Sequence, residues 1–141
     1  MDSQLLSLLH VIGTSGMVGV IWLVQLTHYP TYRYIDLCRF QEFEQFHCRS
    51  IAFIVLPLML LEVGSGALLL FTGERSVIFM ISLLILAMVW ISTFLIQVPI
   101  HEKLGRSFDL GLVERLISSN WLRTVGWSLR LVLLIGMYCA K

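Results

Sequence analysis

Apolar residues in this chain gather into blocks about twenty long, set apart by short polar stretches. The blocks run over residues 5–26, 51–71, 77–98 and 121–138, and the last is broken by Arg123 and Arg130. Each is about the length that crosses ~30 Å of hydrocarbon at ~1.5 Å per residue. The pattern predicts an all-α fold, an integral membrane four-helix bundle, as one transmembrane domain over residues 1–141. The first block is too long for the apolar core of a signal peptide and has only Asp2 as a charge before it. It is expected to be a retained membrane helix.

The stretches between blocks add detail. Residues 72–76, TGERS, leave room only for an antiparallel hairpin of the second and third helices. Tyr29, Tyr32 and Tyr34, with Arg33, form an expected interfacial belt. From about Leu37 the spacing turns helical, with Phe40, Phe43 and Phe46 or His47 on one face, so the second helix is expected to start well before its apolar part. In SFDLGLVERLISS, residues 107–119, Ser107 or Asp109 can cap a helix whose stripe is Leu110, Val113, Leu116 and Ile117. A short amphipathic surface helix between the third and fourth spans is the expectation. Gly13, Gly16 and Gly19, and Gly64 and Gly66, are expected at close helix contacts, and Pro57 is expected to kink the second helix.

Composition supports the same class. Hydrophobic residues make up 57% and charged residues 13%, with a mean hydropathy of +0.85, against about half and about a quarter in soluble domains. The lipid bilayer is the first partner implied. The net charge of +1 gives no reason to expect nucleic acid. It also hides an asymmetry. Arg33, Arg39, Arg49, Lys103, Arg106, Arg115 and Arg123 fall on one side of the spans, and Arg75 and Lys141 on the other. The positive-inside rule then puts both long loops in the cytoplasm and both termini outside, as in a bacterial inner membrane. Cys38, Cys48 and Cys139 form no CxxC and no disulfide framework.

The informative residues are the polar ones within apolar blocks, because each ionisable group at a helix centre costs about 2.5–3.5 kcal/mol on insertion scales. Counted from the cytoplasmic ends, Glu62 lies ~20 Å deep, Arg130 ~15 Å and His10 ~25 Å. Glu62 is therefore expected to pair with Arg130, with His10, or with both, as a structural ion pair or as an inner polar relay. Asn120, Arg123, Trp127 and Arg130 share one helix face, which is expected to look into the bundle. Two inward arginines point to an anionic partner, either internal or a bound carboxylate, phosphate or lipid head group. A chemical role is expected of Glu62, Arg130 and Arg123.

A second set lies at the helix ends. Glu44 and His47 are three apart, as are Gln25 and His28, while Gln97 and His101 are four apart. In a four-helix bundle these ends meet at one level, so Glu44, His47, His28 and His101 are candidate ligands for iron, zinc or copper. Di-iron carboxylate bundles use Glu-x-x-His twice; here it occurs once. His10 and His28, five turns apart on one face, are a candidate haem pair ~27 Å apart.

Residues 8–30, LLHVIGTSGMVGVIWLVQLTHYP, resemble the first helix of the membrane-bound protoporphyrinogen oxidase, a bacterial family that binds haem through a His in that helix; His10, Ile12, Gly13 and His28 carry the likeness. Length, span count and the Asn120, Trp121 and Arg123 pattern resemble the anthrone-oxygenase-like group. The HYP, FH and NWLRT segments are similar to those of uncharacterised bacterial inner-membrane proteins. The resemblances imply a four-helix membrane fold and a metal- or haem-dependent oxidoreductase or oxygenase. The other expectation is a non-catalytic subunit or assembly factor, acting as a homo-oligomer or in a larger membrane complex.

Overall fold

The computed structural model describes residues 3–139. It contains four long helices and, among the described residues, no strand: α1 (Ser3–Tyr34), α2 (Phe40–Phe71), α3 (Val77–Leu104) and α4 (Leu110–Cys139). All four are long and apolar enough to cross a membrane. Large apolar side chains such as Phe53, Leu84 and Leu95 cover the outside, as lipid contact requires. Asp2 and Lys141, which entered the charge argument, lie outside the described residues.

Local chemistry sets the helix ends. Thr72 and Glu74 donate backbone hydrogen bonds to Leu68 and Leu69, and Gly73 closes α2 at a φ of 102°, where a glycine is favoured. The Ser76 side chain accepts from the Phe79 amide and starts α3. Asp109 Oδ1 accepts from the amides of Gly111 (2.7 Å) and Leu112 (3.2 Å) and starts α4. Residues 110–119 are thus the first turns of one continuous helix rather than a separate surface helix. Much of their apolar stripe covers protein: Val113 and Leu116 are fully buried against Tyr32, Phe40 and Leu104, Ile117 is partly buried, and Leu110 is exposed. Tyr29 and Tyr32 belong to the same core, so of the expected tyrosine belt only Tyr34 is exposed. Arg33 completes this end by donating two 2.6 Å hydrogen bonds to Glu114.

Two helices widen before a proline. In α1 residues 24–28 form a π-helical turn ahead of Pro30, closed by the Tyr29 amide donating to the Val24 carbonyl. In α3 residues 93–97 form another ahead of Pro99, closed by the Val98 amide donating to the Thr93 carbonyl. A proline ring crowds the carbonyl four residues back, and a wider turn relieves that crowding. Pro57, by contrast, sits within an α2 that runs unbroken from Phe40 to Phe71.

The helices do not close evenly. α1 packs along both α2 and α4, and α3 packs along α4, but α2 and α3 scarcely touch outside their two ends. Close packing relies on only some of the glycines. A Cβ on Gly13 would lie 3.2 Å from Glu62 Cγ, and one on Gly126 only 2.6 Å from Val89 Cγ2. Gly19 and Gly64, expected at contacts, face open space. Gly126→Ala should therefore lower stability in detergent by about 1–3 kcal/mol through overpacking of α3 on α4, whereas Gly64→Ala should stabilise by up to ~1 kcal/mol through helix propensity. Thermal melts of the two variants beside the parent check this.

Candidate functional site

Polar side chains collect at two levels of the bundle. The inner cluster joins all four helices. Arg130 on α4 forms an ion pair with Glu62 on α2, both with no exposed surface. The Glu62 carboxylate also accepts from Thr14 (2.8 Å) and from the Trp127 indole (2.9 Å). Arg130 Nε donates to the Ser82 carbonyl of α3 at 3.0 Å, and its Nη2 lies 3.2 Å from His10 Nε2. An arginine only donates, so His10 Nε2 accepts and His10 Nδ1 carries the hydrogen that meets Ser65 Oγ at 2.9 Å. Glu62 thus pairs with Arg130, and His10 joins through Arg130 rather than binding Glu62 itself. Both nitrogens of His10 are engaged, which leaves none for haem iron unless one of these bonds breaks. His10 and His28 lie in different clusters.

The outer cluster stands at the end that carries the 35–39 and 105–109 loops. The π turns of α1 and α3 bring Gln25 and Gln97 against α4. Asn120 Nδ2 donates to Gln25 Oε1 at 2.9 Å, and Gln97 Nε2 donates to Ser119 Oγ at 3.1 Å. One turn further, Glu44 on α2 and His101 on α3 meet with Oε1 and Nδ1 2.5 Å apart. His101 Nε2 lies 3.0 Å from the Tyr29 hydroxyl. Cys48, one turn after Glu44, places its sulfur 3.5 Å from Glu44 Oε1. The His47 ring stacks on His28 with centroids 4.2 Å apart and lies 5.4 Å from His101. The structure therefore gathers Glu44, His47, His28 and His101 as their spacing suggested. The donor atoms that lie within 4.8 Å of one another, however, belong to Glu44, Cys48 and His101. His28 Nε2 is buried without a hydrogen-bond partner.

A cavity of about 460 Å³ adjoins this cluster. Glu44, Cys48, His101, Glu102, Gln45 and Arg123 line it together with apolar residues such as Met17, Val55 and Phe94. It lies where α2 and α3 part. Of its lining residues, Leu56 and Phe94 are 54% and 52% exposed on the apolar flank, and Gln45 and Glu102 are exposed toward the loop end. Arg123 is 6% exposed. Its guanidinium sits 5.3 Å from the centre of the Trp127 ring, a cation–π contact, and beside the Tyr29 hydroxyl. Asn120, Arg123, Trp127 and Arg130 are all buried, as their shared helix face requires.

Thr14, Ser65, Ser82, Tyr29 and Cys48 complete the two clusters without having been assigned such roles from sequence. For Thr14 the signal was available, since it lies one turn after His10 among packing glycines. Tyr29 and Cys48 were legible only as a belt residue and a lone thiol. Compared with models of protein families, curated protein sequences and solved structures, the chain matches none.

Replacing Glu62 by Leu leaves Arg130 buried without its carboxylate and should cost about 3–5 kcal/mol. The Glu62→Leu, Arg130→Met double variant, with both charges gone, should recover most of that loss. Thermal unfolding of the single and double variants in detergent measures the difference.

Proposed function

We propose that the chain is a small metal-dependent membrane oxidoreductase, of the oxygenase kind, with its metal held by Glu44, Cys48 and His101 at the cytoplasmic mouth of the bundle. One observation carries this reading: a carboxylate, a thiol and an imidazole offer donors within 4.8 Å of one another in the wall of a cavity of about 460 Å³. Such a mixed donor set suits iron, copper or zinc, and of these iron and copper supply redox chemistry. Three protein donors leave coordination positions free for a substrate or oxygen. Glu44 and His101 would hold an ion through the two atoms, Oε1 and Nδ1, that now face each other at 2.5 Å. Tyr29, on the far nitrogen of His101, orients the ring, as outer partners of metal-bound histidines do. His47 and His28, stacked beside His101, are the nearest additional imidazoles. Arg123 holds an anionic group of the substrate. Glu62, Arg130 and His10 anchor the four helices beneath the site.

Elemental analysis and an absorption spectrum of the detergent-purified protein test this directly. Close to one iron or copper per chain is expected, lost in His101→Ala and Glu44→Gln, with Tyr29→Phe weakening the metal by about 10–100-fold. A metal-free protein, or metal that survives His101→Ala, would sink the reading. Glu44, His101 and Tyr29 would then be a hydrogen-bonded brace, and a non-catalytic subunit becomes the better account.

The orientation has its own test. The 35–39 loop lies in the cytoplasm by the positive-inside argument, and Cys38 in that loop is exposed. An impermeant maleimide should label Cys38 in inside-out vesicles and not in intact cells. The Asp36 carboxylate accepts the Cys38 S–H at 3.1 Å and pushes the thiol pKa up. Less thiolate is therefore present near neutral pH than for a free thiol, and labelling should keep accelerating as pH rises past the ordinary thiol range. Asp36→Asn should speed the reaction at any one pH below that range, and an unchanged rate would contradict this.

A further inference from the structure

Two arginines on α4 stand seven residues apart on one face, and both are buried, but their surroundings differ. Arg130 has a carboxylate built against it in Glu62. Arg123 has no acidic partner among the described residues, and its Nε lacks any acceptor. Its neighbours are the Tyr29 hydroxyl and the Trp127 ring, neither of which neutralises a cation. The nearby Glu44 is engaged with His101 instead. A buried cation without a counter-charge is costly, and this one lines the cavity.

Building on the reading of this cavity as a substrate site, we infer that its substrate is an amphiphile with a single carboxylate, bound head-first: the carboxylate on Arg123, the apolar body among Met17, Val55, Met59 and Phe94. Each part has its own support. The guanidinium fork matches a carboxylate in two parallel hydrogen bonds. One arginine, with Glu44 and Glu102 in the same lining, favours a monoanion over a phosphate dianion, which calls for further positive charge. A volume of about 460 Å³ lies within the ~300–1,000 Å³ that encloses small molecules. Exposed Gln45 and Glu102 mark the polar end, while exposed Leu56 and Phe94 on the apolar flank give the apolar body of such a molecule a route from the bilayer. Its head then stands beside the donors of Glu44, Cys48 and His101.

The test uses the full chain in a neutral maltoside detergent, with parinaric acid as a fluorescent probe and palmitate, palmityl alcohol and palmityl phosphate as competitors. Palmitate should displace the probe at least ~10-fold more effectively than the alcohol, in line with one charge-assisted pair, and no less effectively than the phosphate. Arg123→Gln should bring palmitate down to the level of the alcohol and leave the alcohol unchanged. Equal competition by acid and alcohol on the parent protein, a preference for the phosphate, or an acid affinity indifferent to Arg123→Gln would each overturn the inference. Should the variant not survive purification, the acid-to-alcohol ratio on the parent decides alone. Repeating the titration after EDTA treatment, with metal content measured in parallel, separates the two proposals. Acid binding in a protein that never held metal sinks only the redox reading, and metal without acid binding sinks only the substrate class.

Discussion

The ion pair of Glu62 and Arg130 is the constraint that the rest of the bundle answers to. In hydrocarbon every polar group must find its partner within the protein. Two opposite charges with no exposed surface fix how close α2 and α4 come, and the groups around them fix the other two helices. Gly13 lets α1 approach until Thr14 reaches the carboxylate. Ser82 offers α3's carbonyl to the guanidinium. A polar network of this kind is costly half-made and rigid when complete, and here Thr14, Trp127, Ser82, His10 and Ser65 complete it.

Trp127 links that anchor to the open cluster above it. Its indole N–H is spent on Glu62, while the face of the same ring lies under Arg123. One side chain thus locks the inner level and supports the cation of the outer one. The two levels divide the labour that polar residues can do in a membrane. The inner one is sealed and self-sufficient. The outer one leaves His28 Nε2, Asn120 Oδ1 and Arg123 Nε unanswered beside a cavity.

Much of this was legible in the residues alone. Blocks of about twenty apolar positions gave four helices, and the depths of Glu62, Arg130 and His10 brought them to one level, because rise per residue is nearly fixed. Shared spacing also turned Asn120, Arg123, Trp127 and Arg130 inward. Partner choice was harder, since Arg130 reaches both Glu62 and His10 and only packing decides which it pairs with. The surface helix failed for a related reason. The Val113 and Leu116 stripe fits lipid or protein equally well by pattern, and the nearby Tyr32 and Phe40, distant in sequence, claimed it. Cys48 was passed over because its value comes from standing one turn after Glu44 with its sulfur toward that carboxylate, opposite a helix that sequence cannot place.

The widened turns before Pro30 and Pro99 have a consequence of their own. Each adds one residue to its helix, and one residue is about 100° of rotation. The last turns of α1 and α3 are therefore aimed differently from the shafts below them. Tyr29 and His101 lie just beyond those turns, so the added residue bears on how the phenol meets His101 and how the imidazole meets Glu44. In α1 and α3 chain length is part of the chemistry: these helices tolerate an exchanged side chain in the widened turn more readily than a missing one. Losing a single residue there would swing the phenol or the imidazole out of the cluster with every side chain of the site still present.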